Sequence, residues 1–340
     1  MSAGPAVSAG PDWGVTLPLA GLALREHRAI VEGLPDIGFS QVWTAEGGGI
    51  DAFTPLATAA WAPGLGLGTG IVPVFTRGPA VIAQTAATIA ELSGAPLLLG
   101  VGASVPAHVT DINGIPFEEP YKRTRDVVRF LSRAFTGEVI GDGFDTFSIT
   151  GFQLRSLPPV RPKVIVGALR PGMVRLGFRY GDGVVTNMLF AEDVPAVVAA
   201  AAPERRPGSE LIVKVFVCPS ADDDHARAAV RPFVTWILNQ TPYHAFHEWL
   251  GRGELLRETH ERWLAGDPAG AARTMPDAVV DEVFVHGSPE RCRELIARYA
   301  KPGVTGIQLY VLSPPGAVRG ATDALRLLAA LRPSPVAVGA

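Results

Sequence analysis

Cysteine is nearly absent from this sequence. Cys218 and Cys292 are the two in 340 residues, and they lie far apart. That spacing excludes a disulfide framework and a zinc motif, and it suits a reducing compartment, so a cytoplasmic protein is expected. Long apolar runs are missing too. No stretch of about 18 residues free of glycine, proline and charge appears, so no membrane span is expected. The alanine-rich Val194–Ala202 is too short and reads as helix. The opening MSAGPAVSAGPD has neither a basic nor an apolar region, and reads as a small-residue tail rather than a signal peptide. There is no basic excess: 30 Lys and Arg stand against 33 Asp and Glu, for a net charge of −3. Nucleic acid and anionic membranes are therefore not the expected partners. H-E-x-x-H, G-x-S-x-G and G-x-x-x-x-G-K-[ST] do not occur, and no G-x-G-x-x-G follows the first strand pattern. His244 and His247 sit at ligand spacing, but no acid pattern completes a metal site, so none is assigned.

What the chain does have is apolar bulk, 47% of residues against 19% charged. It is organised as eight apolar runs separated by helical patterns. The runs are 13–19, 41–46, 66–73, 96–102, 163–168, 183–188, 211–218 and 305–312. Continuous apolar runs fit strands buried on both faces, and eight strand–helix units predict an α/β fold, a (β/α)8 TIM barrel. An open doubly wound sheet is the alternative. The expected organisation is a tail at 1–12, one barrel over 13–332, and a tail at 333–340. Insertions are expected near 103–120, 137–160 and 235–285. Ser288 reads as a helix N-cap.

In such a barrel the chemistry lies at the C-terminal strand ends. Those ends are small, apolar and glycine-rich here, which suits a flat aromatic ligand lying against backbone. The run GLGLGTGIVP, 64–73, raises the sharpest question, since glycine in a strand marks a bulge or a close approach. Glu46 is the main acid at a strand end; a helix cap or a partner for an arginine is its plainer role. His108 follows the fourth strand, where an exposed loop histidine is the plainer reading. In VGALRPGMVRLG a helix begins near Pro171, and its free first-turn N–H groups form a candidate anion site.

Three stretches together resemble the luciferase-like monooxygenase superfamily: TGIVPVFTRGPAVIAQTAATIAELSG with LLLGVGAS, NGIPFEEPYKRTRDVVRFL, and VIVGALRPGMVRLGFRYGDGVVTN. They are most similar to its actinobacterial branch that uses the deazaflavin coenzyme F-420, and FTRGP is also similar to methylenetetrahydromethanopterin reductases. The likeness covers about 13–190 and, more loosely, HGSPERCRELI and GVTGIQLYVL. It implies a bulge with a cis Gly70–Ile71 peptide behind the cofactor ring. It implies the ring near Thr44, Glu46, Gly70, Ile71, Gly102, Ala103 and Ser104. The cofactor phosphate falls at Gly167, Ala168, Leu169, Arg170, Pro171 and Gly172. It also implies a homodimer through the second and third helices. Many relatives carry a histidine after the acid that ends strand two, and several an acid after strand four. This chain reads Glu46-Gly47-Gly48 and GASVPAHV. The proton-handling pair of the sugar-phosphate dehydrogenases is missing, which leaves Glu46 and His108 as catalytic candidates. The expected activity is hydride transfer between coenzyme F-420 and an apolar small-molecule substrate. The alternatives are an FMN-dependent monooxygenase and a non-catalytic deazaflavin-binding protein.

Overall fold

The computed structural model describes residues 10–47, 49–313 and 316–333. The expected tails at 1–12 and 333–340 lie for the most part outside the described residues. In chain order the elements are β1 (Asp12–Thr16), α1 (His27–Gly33), β2 (Gln41–Thr44), α2 (Phe53–Ala59), β3 (Gly66–Thr69), β4 (Val72–Pro73), α3 (Pro79–Ser93) and β5 (Leu97–Gly102). There follow α4 (Pro120–Ala134), β6 (Lys163–Gly167), α5 (Pro171–Tyr180), β7 (Gly183–Asn187), α6 (Val194–Ala201) and β8 (Glu210–Pro219). Five helices come next: α7 (Asp223–Leu238), α8 (Thr241–Trp249), α9 (Gly253–Leu264), α10 (Pro268–Thr274) and α11 (Asp277–Val283). The remainder is β9 (Phe284–Gly287), α12 (Pro289–Ala297), β10 (Gly306–Val311) and α13 (Ala321–Leu331).

All the ladders between these strands are parallel, and the ring closes where β10 pairs with β8 on one edge and β1 on the other. This is a (β/α)8 barrel. Its eight staves are β1, β2, β3 with β4, β5, β6, β7, β8 and β10, at the positions of the eight apolar runs. The strand β9 is additional. It pairs with Phe216–Pro219 of β8, beyond Asn187↔Lys214, where β7 stops. Its four residues, FVHG, follow a helix directly and are too few to carry a period, so the sequence pattern does not show it.

The third stave is where the glycines sit, and it is bulged. From Gly68 to Val72 the β3–β4 stave advances four residues, while its partner β5 advances three, from Leu98 to Val101. The lumen explains much of the glycine. Trp43 is fully buried inside the ring with Leu98, Ile165, Val185 and Ile212. A Cβ on Gly14 or Gly68 would collide with its indole. The close approach expected at the glycine run therefore comes partly from the neighbouring strand.

The expected insertions take distinct forms. The stretch after β5 contains a wide π-type helical segment, Ala107–Ile112. The 137–160 excursion is pinned by two antiparallel bridges, Ile140–Phe152 and Gly143–Ser148. Its Phe144, Phe147 and Phe152 rings pack 5.2–6.2 Å from Phe130 of α4. Helices α7, α9 and α11 gather their own apolar cluster against the upper part of β8 and β9, with Tyr243 of α8 packed on it. Ser288 caps α12 by accepting from the Arg291 amide.

Candidate functional site

At the C-terminal mouth the two halves of the barrel differ. On the side of β3, β5 and β6 the inward positions are glycine: Gly70, Gly100, Gly102 and Gly167. Ile71 lies across them. A Cβ on Gly167 would stand 2.9 Å from Ile71 Cγ2, and one on Gly102 3.5 Å from its Cδ1. The Gly70–Ile71 peptide is cis, at the bond singled out by the resemblance. The Gly70 N–H donates to Thr44 O (2.8 Å), and Ile71 O accepts from the Glu46 N–H (3.1 Å). Thr44, Glu46, Gly70, Ile71, Gly102 and Gly167 thus form one continuous bed. Ala103 and Ser104 flank it, half-buried. Ser104 holds a left-handed backbone, φ 65°, as does Met188 (φ 53°) after β7. Such positions concentrate where a strand end is shaped for a ligand.

The side chains of the expected ring contacts are placed less simply. The Thr44 hydroxyl donates to Ala52 O at 2.7 Å and is buried. Glu46 is gripped by Arg77: Nη2 reaches Oε2 at 2.6 Å, and Nε reaches both oxygens at 3.0 and 3.1 Å. Thr76 and the Ala52 amide also donate to it, each at 3.3 Å. Glu46 therefore has the arginine partner that was its plainer reading. His108 sits on the Ala107–Ile112 segment, half-buried, and that segment is fastened by Asn113 Nδ2 donating to the His108 carbonyl at 2.7 Å.

Beyond β6 the chain enters α5. Arg170 occupies the N-cap with extended backbone and an exposed side chain, and no side chain caps the helix. Pro171 needs no N–H partner, and Gly172 has nothing within 4 Å of where a Cβ would be. The first-turn amides are thus open to an anion, next to the glycine bed. Ala168 is buried and Leu169 half-buried.

The opposite half is polar and aromatic, from residues that the sequence reading did not single out. Lys214 of β8 and Gln308 of β10 are register partners. Lys214 Nζ donates across the lumen to Gly70 O at 2.6 Å, and burial pulls its pKa down to about 8. Gln308 donates to Thr16 Oγ1 at 2.9 Å, and its Oε1 has no protein partner. A Cβ on Gly70 would stand 2.8 Å from that oxygen. Phe216 and Tyr310 lie above Lys214, their rings 5.9 and 5.8 Å from Nζ. From α8, the Tyr243 phenol faces Asn187, and burial raises its pKa. His247 of the same helix accepts from Arg252 Nε at 3.0 Å and lies 2.9 Å from Met188 O. Burial, then the Arg252 charge, lowers its pKa to about 3. The signal for Lys214 and Gln308 was present: each is the lone charge or amide inside an apolar strand, LIVKVFVC and TGIQLYVL.

His244 stacks on His260 with centroids 3.5 Å apart, while His247 turns to Met188. Among the described residues no group of three or more His, Cys, Asp or Glu could hold a metal.

The chain is 27% identical over 329 residues to a putative coenzyme F-420-dependent oxidoreductase of Mycobacterium tuberculosis, covering 86% of this chain and 91% of that one. It is 28% identical over 254 residues to the 5,10-methylenetetrahydromethanopterin reductase of Archaeoglobus fulgidus, covering 71% and 75%. The coenzyme F-420-dependent tetrahydromethanopterin reductase of Methanopyrus kandleri has the same fold, with a TM-score of 0.71 at 21% identity over 94% of this chain and 98% of that one. Residues 6–306 match the profile described as luciferase-like monooxygenase.

Proposed function

The chain belongs to the luciferase-like monooxygenase family of enzymes, and on that premise we propose that it is a coenzyme F-420-dependent oxidoreductase acting on an apolar organic substrate. The observation that carries this reading is the bed itself. Ile71 spread over Gly102 and Gly167 offers a broad surface free of side-chain projections, and the uncapped start of α5 lies at its edge. A planar ring with a phosphate-bearing tail matches that pair of features. When bound, the deazaflavin supplies a carbon that accepts or donates hydride.

The residues divide the remaining work. Gly167–Gly172 and the α5 amides would hold the phosphate, with Arg170 adding charge. Ile71, Gly102, Ala103 and Ser104 would support the ring. Glu46, engaged by Arg77, ties the loop after β2 to the bulge through its own amide. That engagement favours His108 over Glu46 as the group that moves the substrate proton. Phe216, Tyr310, Tyr243 and Met188 make the substrate side largely apolar.

The functional form is a homodimer in the cytoplasm. A groove of about 1300 Å³ runs along α1, α2 and α3 on the outside of the barrel. Trp61 is 75% exposed on it, and Leu24 and Leu92 are exposed beside it. No helix among the described residues is long and apolar enough to cross a membrane.

Paired fluorescence titrations of the apo-protein with coenzyme F-420 and FMN test the cofactor. Tight binding of the deazaflavin and weak binding of FMN is the expected result. Preference for FMN would move the protein to oxygen-using monooxygenase chemistry, and binding of neither would remove the reading.

A further inference from the structure

Lys214 is an unusual residue to find inside a barrel. It is 6% exposed, and its Nζ bonds the Gly70 carbonyl. It forms no ion pair among the described residues. We propose that Lys214 is a fixed positive charge beneath the cofactor bed, which makes the site prefer the reduced deazaflavin, whose ring carries one more negative charge, over the oxidised one. This rests on the deazaflavin reading above.

Three observations support it. The charge is not neutralised: a carbonyl oxygen and two aromatic rings at nearly 6 Å are dipoles and quadrupoles, not an anion. Burying such an ammonium costs free energy that an apolar side chain of the same length would not, so the fold alone gives no reason for it. Its protonation at neutral pH is consistent with a pKa lowered only to about 8.

The charge is also held in register with the bed. The carbonyl it grips belongs to the residue before Ile71, and Ile71 covers Gly102 and Gly167. Gln308, anchored on Thr16, stands against Gly70 from the same side. Three staves, β1, β8 and β10, thus converge on the end of β3.

The chemistry gives the charge a use. Hydride transfer to a bound deazaflavin would break a substrate C–H bond and form a C–H bond on the ring. It would deliver one proton nucleus and two electrons, so the ring would gain one unit of negative charge. The substrate would gain one of positive charge, lost as His108 takes the proton of its O–H or N–H. A cation already in place in a poorly solvated site stabilises that ring charge without reorganising.

The test is titration of oxidised and of reduced coenzyme F-420 against wild type, Lys214→Met and Lys214→Arg, with thermal unfolding of each. Wild type should bind the reduced form more tightly. Lys214→Met should lose roughly tenfold of that preference while melting at or above the wild-type temperature, and Lys214→Arg should retain it. A residue that merely supported the structure would weaken both forms alike and lower the melting temperature. That result, or an unchanged preference in Lys214→Met, overturns the inference and leaves the cofactor reading standing. Wild type binding neither form overturns both. Should Lys214→Met not fold, Lys214→Gln carries the same comparison.

Discussion

A single methyl group separates two kinds of glycine in this chain. At Gly100 a Cβ would collide with the Thr69 carbonyl oxygen, which is backbone in the adjacent stave and cannot turn away. At Gly172, in the first turn of α5, it would meet nothing. Gly100→Ala should therefore lose about 3 kcal/mol or more of stability. Gly172→Ala should be neutral or gain up to about 1 kcal/mol, because alanine is the better helix former. Urea midpoints measured side by side check the pair; equal midpoints would refute the contact. The glycine run at Gly66–Gly70 was legible as a place of close approach, but the identity of what approaches was not. Trp43 and Gln308 reach it from strands 23 or more residues away in sequence, and only strand register brings them there. Lys214 was visible as the lone charge of an apolar strand, but its partner was not, since its bond to Gly70 spans 144 residues.

Among the elements, α8 is bound to the barrel by a group that titrates. His247 is fully buried, 2.9 Å from the Met188 carbonyl and facing Arg252 across its other nitrogen. Its folded pKa of about 3 lies well below its ordinary value of 6.5. Between those limits the unfolded chain binds a proton that the folded one refuses, so stability falls as pH drops from 6.5 towards 3. The slope from this one group is about 1.4 kcal/mol per pH unit. Denaturation at pH 4, 5 and 6 should approach that slope in wild type and show a shallower one in His247→Gln, the slope fading above pH 6.5. Parallel profiles would mean that the ring is free to protonate where it lies. The eight staves and the helices between them were legible because strands buried on both faces read as unbroken apolar runs. The helices after β8 were legible only as helical filling, since α8 packs on α7, α9 and the loop after β7, and α9 on α8 and α10, outside the repeating strand–helix alternation. The π-type segment at Ala107–Ile112 read as loop, because its sequence carries no 3.6-residue apolar period.

For the whole molecule, the groove over α1–α3 and the exposed Trp61 beside it predict association through that face. Sedimentation of the wild-type chain should give twice its mass of 35.8 kDa. Trp61→Asp with Leu92→Asp should give the single mass while leaving the far-ultraviolet circular dichroism unchanged. A monomeric wild type would refute the dimer. The closure of the ring has a consequence of another kind. The stave that completes it, β10, stands between β1 and β8, with Gly306 opposite Asp12 and Gln308 opposite Lys214. During synthesis β1 therefore waits through nearly the entire chain for one of its two neighbours, its edge open to any passing strand. Folding on the ribosome can proceed no further than an incomplete wall, and the lysine under the bed cannot be sealed from water until Gly306–Val311 has emerged. A nascent chain halted before Gly306 should be bound by chaperones and cut readily by proteases, and one released after α13 should be neither.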